Sequence, residues 1–151
     1  MYKEILVPLD GSEFAEAALS HARALATAFT SRVTLISIVE SFSISPQPGI
    51  IGPVITVGVD IEEDMQQSRD YIHVIAEDLR QLGIEVKEFV NEGDPGSGIS
   101  KYADEHGIDL IVMSTHGRSG IQKFVYGSVA EKILHNAKVP ILLVRSFKKE
   151  S

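Results

Sequence analysis

At 151 residues, with 44% hydrophobic and 23% charged side chains, the chain has the composition of one soluble globular domain and not of a disordered or membrane-spanning protein. Its formal net charge of −7 argues against nonspecific nucleic-acid or anionic-membrane surfaces, because an acidic face releases no counterions from either polyanion. The absence of cysteine excludes disulfides, thiol catalysis and thiolate metal sites.

The N-terminal MYKEILVPLD has no signal-peptide anatomy, so a cytoplasmic location is expected. Residues 5–9 (ILVPL) read as a short buried strand. Residues 12–29 read as a helix with Phe14, Ala18, Ala22, Leu25 and Phe29 on one face, and residues 33–39 (VTLISIV) as a second strand. The stretch 41–60 is rich in Pro and Gly yet carries Phe42, Ile50, Ile51, Val54, Ile55 and Val57. Loops of this length are usually functional, so a flap near a ligand crevice, a partner surface and a plain surface excursion all stay open. A second helix is expected over 61–82, its apolar face formed by Ile61, Met65, Ile72, Ile75, Leu79 and Leu82. A third strand follows at 86–90. A short helix around Ile99, Tyr102 and Ala103 closes at Gly107, and residues 110–113 (LIVM) form a fourth strand. Ser128 to Glu131 read as a capping box opening a fourth helix, and residues 139–144 (VPILLV) as the last strand. The basic tail RSFKK reads as a solvated terminus.

Nearly all-apolar strands alternating with helices imply a parallel sheet buried on both faces, a doubly wound α/β fold. Ligands of such sheets sit at the carboxyl ends of the strands, where the strand order reverses. The loop after the fourth strand, STHGRSGIQKFVYGS (114–128), lies at such an end. Its glycines and hydroxyls permit close backbone approach, and the helix that follows offers N–H groups to an anion. Phosphate is the natural ligand; a solvated turn would use the same residues.

Other nucleotide and enzyme motifs fail. There is no Walker-type loop, and Gly96-Ser97-Gly98 lacks the third glycine of a dinucleotide fingerprint. The carboxylate pattern of a response regulator is missing, with Asp10 alone after the first strand and Asn91 in the third. LDGSEF makes a poor flavodoxin phosphate loop, and no G-x-S-x-G elbow exists for a hydrolase. His21, His73, His106, His116 and His135 show no paired ligand spacing, so no protein-only metal site is expected.

VPLDGSEFAEAAL, VTLISIVE, IDLIVMSTHGRSGIQKFVYGSVAEKIL and VPILLVR together resemble the universal stress protein family over essentially the whole chain. The nucleotide-binding branch of that family carries G-x2-G-x9-G-[ST], which falls on Ser114, Gly117, Gly127 and Ser128. Ser114 stands in place of the first glycine; it is small, but adds a Cβ and narrows φ. The resemblance implies the sheet order 3-2-1-4-5, with the first and fourth strands side by side at the reversal. It also implies ATP, or ADP or AMP, as ligand. Pro8, Leu9 and Asp10 would lie beside the adenosine and Ile38 at the adenine. Met113 and Ser114 would mark the strand end, with Gly117, Gly127, Ser128 and Val129 around ribose and phosphates. Asp10 is read as a ligand contact because Ser12 suits the helix cap, and Ser128 as both cap and contact. His116 and Arg118 stay open between phosphate partner and solvated side chain. Any Mg²⁺ would be bridged mainly by the phosphates.

These readings lead to an ATP-binding regulatory or stress-response module with little or slow hydrolysis. The rivals are a slow ATPase and an interaction protein that no longer binds nucleotide. The last strand is apolar on both faces and, in this order, sits at the sheet edge, so a homodimer through it is expected, burying Ile141 and Leu143 or their alternates.

Overall fold

The computed structural model describes residues 1–41, 60–116 and 127–146. In chain order it contains β1 (Glu4–Pro8), α1 (Glu13–Phe29), β2 (Arg32–Glu40), α2 (Ile61–Gln81) and β3 (Val86–Gly93). There follow α3 (Pro95–Glu105), β4 (Leu110–Ser114), α4 (Ser128–Asn136) and β5 (Ile141–Val144). The strands form one parallel sheet in the expected order β3-β2-β1-β4-β5. The stretch 42–59, expected as a flap or long loop, and the tail 147–151 lie outside the described residues.

Because successive strand side chains point to opposite faces, the apolar runs divide between two cores. Ile5, Val7, Val33, Leu35, Leu110 and Val112 face α1 and α2, packing with Ile72, Ala76 and Leu79. Leu6, Ile36, Ile111 and Met113 face α3 and α4, packing with Ile99, Tyr102, Ala103 and Ile133. Residues 5–7 of β1 and 110–113 of β4 are therefore apolar at every step, as burial on both faces demands, while β2 admits Thr34 and Ser37 among its buried residues.

The helix faces differ from the sequence expectation in instructive ways. The deepest line of α1 is Ala15, Ala18, Ala22 and Ala26, with Leu25 beside it. Small side chains let this helix lie close on the sheet, and the larger Phe14 and Phe29 fall to its flanks; Phe29 meets Tyr2 edge-on at 5.4 Å. In α2 the buried face ends at Leu79, and Leu82, expected on that face, is 58% exposed. The helix has stopped at Gln81, and Leu82 leaves the spiral toward the turn at Gly83 (φ +82). β5 begins two residues later than expected; Pro140 has no N–H, although its carbonyl accepts from Ile111 N at 3.0 Å.

Three helices carry side-chain caps: Ser12 accepts from Ala15 N, Asp60 from Glu63 N and Asp94 from Ser97 N. The capping box expected at Ser128 is not formed. Gly127 is the N-cap of α4 and Ser128 its first helical residue, so the serine stands one position too late to cap, and Glu131 N bonds Gly127 O instead.

Ala22 has no exposed surface, so Ala22→Leu should force α1 off the sheet and cost about 1–3 kcal/mol of stability, read from urea unfolding.

Candidate functional site

The pairing of β1 with β4 covers only Ile5↔Leu110 and Leu6↔Ile111, whereas β1 pairs with β2 from Glu4 to Pro8. Leu9 N donates to Ile36 O on the β2 side at 2.9 Å. Strand polar groups alternate in direction, so residue 8 faces β4, and as proline it leaves no N–H without a partner there. Beyond that point a cavity of about 510 Å³ opens at the carboxyl edge of the sheet. It is within the usual range of small-molecule sites.

Pro8, Leu9, Asp10, Ile38, Met113, Ser114, Gly127, Ser128 and Val129 all line this one cavity, and so does His116. The structure thus brings together the end of β1, the end of β2, the end of β4 and the first turn of α4. Gly117 and Arg118 lie outside the described residues.

Each wall has a local cause. Asp10 Oδ1 accepts from Ser12 N at 2.9 Å and from Ser12 Oγ at 2.5 Å, while Ser12 Oγ accepts from Ala15 N at 3.2 Å. Asp10 is therefore held by the residue that caps α1. Ser114 is 8% exposed; its hydroxyl donates to Ser146 Oγ at 2.8 Å and accepts from His116 N at 3.3 Å. The Cβ that distinguishes it from glycine thus supports a hydroxyl that joins the exits of β4 and β5. Gly127 N donates to Thr115 O at 3.0 Å, tying the start of the loop to its return. The His116 ring nitrogen Nδ1 lies 2.9 Å from Thr115 Oγ1.

Sequence reasoning missed the contribution of α2. Asp64, Gln67, Ser68 and Tyr71 line the cavity, and Glu40 joins them at its rim. The signal was present: the stripe Ile72, Ala76, Leu79 continues toward the N-terminus as polar residues at helical spacing, marking where that face leaves the core. Burial, and then the hydrogen bond to Glu16 Oε1 at 2.7 Å, push the Tyr71 phenol well above its ordinary pKa, so it stays a donor. Asp10, Asp64 and Tyr71 make the α1/α2 side of the cavity acidic and polar. The opposite side presents the start of α4, whose N-cap, Gly127, has no side chain to satisfy the first N–H groups. Among the described residues no group of three His, Asp or Glu side chains could hold a metal ion, and no helix is long and apolar enough to cross a membrane.

The family model of the universal stress proteins matches residues 1–145. Universal stress protein MJ0531 of Methanocaldococcus jannaschii is 33% identical over 152 residues, covering 99% of this chain and 86% of its own length. The solved structure of MJ0577 is 27% identical, covers 99% of each chain and superposes with a TM-score of 0.78. A universal stress protein of Archaeoglobus fulgidus, solved in complex with dAMP, shares the fold with a TM-score of 0.65 at 22% identity over 94% of this chain and 97% of its own. With this match over nearly its whole length, on a sheet of order 3-2-1-4-5, the chain belongs to the universal stress protein family.

Proposed function

We propose that this protein binds an adenine nucleotide, ATP or its products ADP and AMP, in the cavity between β1 and β4, and acts as a nucleotide-dependent stress-response module. The observation that carries this reading is the meeting, in one cavity of about 510 Å³, of an α4 N-terminus without a side-chain cap and an acidic, polar opposite wall. Those two ends sort the ligand. Polyphosphate is drawn to the helix N-terminus and repelled from Asp10 and Asp64; a neutral nucleoside with N–H and O–H donors suits the carboxylates. In this pose Pro8, Leu9 and Asp10 flank the adenosine, Ile38 and Met113 supply apolar contact to the base, and Ser114 stands at the strand end. Gly127, Ser128 and Val129, with Gly117 and Arg118 of the loop, surround ribose and phosphates. Mg²⁺ would be held mainly by the phosphates. The dAMP complex of the Archaeoglobus protein, and a further universal stress protein solved in complex with cAMP, support adenine nucleotides as the ligand class.

Calorimetric titration tests the assignment. Gly117→Asp should abolish ATP binding, since a carboxylate there repels phosphate, and Asp10→Ala should weaken it about tenfold. ATP affinity unchanged by both would remove the nucleotide from this pose, and no titratable ATP binding by wild type would favour the interaction-protein reading.

Assembly follows from the edge. Pro140 O accepts from Ile111 N of β4 and Val144 O from Thr115 N just past it, so by alternation the N–H and C=O of Ile141 and Leu143 point away from the sheet. Their side chains already pack in the α3/α4 core, which leaves Leu142, 37% exposed, as the apolar residue available to a partner. We infer a two-fold dimer through β5 that pairs these edges. Wild type should sediment as a dimer at micromolar concentration. Leu142→Lys, which charges the exposed side chain, and Leu143→Pro, which removes an outward N–H, should both yield folded monomers. A wild-type monomer would defeat the proposal.

A further inference from the structure

Asp94-Pro95-Gly96-Ser97-Gly98 fails as a dinucleotide fingerprint, and the structure gives its glycines another use. Neither Gly96 nor Gly98 has the positive φ that calls for glycine, so space selects them. Gly96 is buried, and a Cβ there would lie 2.6 Å from Lys132 Cδ and 2.7 Å from Lys132 Cβ; the lysine stem fills the notch. A Cβ on Gly98 would stand 3.2 Å from Ile38 Cγ1 and 3.3 Å from its Cδ1. The first turn of α3 therefore touches α4 on one side and the end of β2 on the other, while Pro95 and Ile99 face the cavity.

One carboxylate locks the α4 contact. Asp94 Oδ2 accepts from Ser97 N at 2.9 Å, capping α3, and from Lys132 Nζ at 2.9 Å, one turn beyond Ser128. The Lys132 hydrogen bond, and then that of Ser97, hold the Asp94 pKa down to about 2, so the pair stays ionised at neutral pH. With side chains 51% and 47% exposed, it adds little to global stability. It links the N-cap of α3 to α4, and both helices contribute residues to the cavity wall.

We propose that this segment positions the nucleotide site: Asp94, Gly96 and Lys132 hold the N-terminus of α4 at the phosphate end, and Gly98 holds Ile38 at the base end. This inference rests on the nucleotide reading above, and its test separates the two.

ATP and adenosine are titrated into wild type, Asp94→Asn, Lys132→Met and Gly98→Ala, with circular dichroism as the control for folding. Asparagine keeps the cap and methionine keeps the stem, so both variants retain the fold. Each should lower ATP affinity about three- to tenfold and leave adenosine within about twofold. Asp94→Asn is decisive, because simple charge would act the other way: removing a carboxylate near phosphate should tighten ATP. Gly98→Ala should weaken ATP and adenosine equally, because it displaces Ile38 and not α4. Unchanged or tighter ATP binding by Asp94→Asn overturns the positioning role and leaves the nucleotide reading standing. Absence of binding of either compound to wild type overturns both.

Discussion

The direction in which the chain crosses its own sheet is the constraint on which the site depends. Right-handed crossovers put each connecting helix on a face set by the direction of travel. The chain moves from β1 to β2 to β3 with α1 and α2 on one face, then returns past β1 to β4 and β5 with α3 and α4 on the other. At β1 and β4 the helices therefore depart to opposite faces, and no crossover covers the gap. The short β1–β4 ladder and the proline at position 8 open that gap without stranding an N–H. Asp10 and Ser128 are separated by most of the chain, yet this reversal leaves them lining one cavity.

The fold was legible because its physics is repetitive. Apolar strands such as ILVPL and LIVM cannot alternate when both faces are buried, and that signal survives without tertiary context. Helix faces were less legible. Counting large apolar residues favoured Phe14 and Leu82, but close approach to the sheet selects alanine for the deepest line of α1, and chain direction removes Leu82 from α2. Of the candidate site, the residues after β1 and β4 stood out by motif and position. Asp64, Gln67, Ser68 and Tyr71 did not, since a polar helix face near an N-terminus looks the same whether it meets solvent or a cavity.

Ser128 and Ser114 show how a single position changes the chemistry a motif implies. A serine before a helix reads as a cap, but the bond from Gly127 N to Thr115 O sets the helix start one residue earlier. The first turn of α4 then meets the cavity with no side chain of its N-cap covering it. Ser114 departs from the glycine of the family pattern, and its hydroxyl takes up bonds that glycine could not make. It joins the end of β4 to Ser146, just past the edge strand. One lining residue of the cavity is therefore hydrogen-bonded to the segment that leaves β5.

An acidic protein is an unexpected host for a polyanion, and the distribution of charge resolves the conflict. Screening confines exposed charges to a range of about 8 Å at physiological ionic strength, so a net charge of −7 spread over the surface says little about one helix end. Locally, Lys132 is already matched by Asp94, so the attraction to phosphate proposed here comes from backbone N–H groups and from the loop, not from a lysine. Backbone donors are fixed by the fold and cannot follow a misplaced ligand. Recognition built on them depends on wall spacing to within a few tenths of an ångström, which is the scale on which Gly96 and Gly98 seat α3 against Lys132 and Ile38.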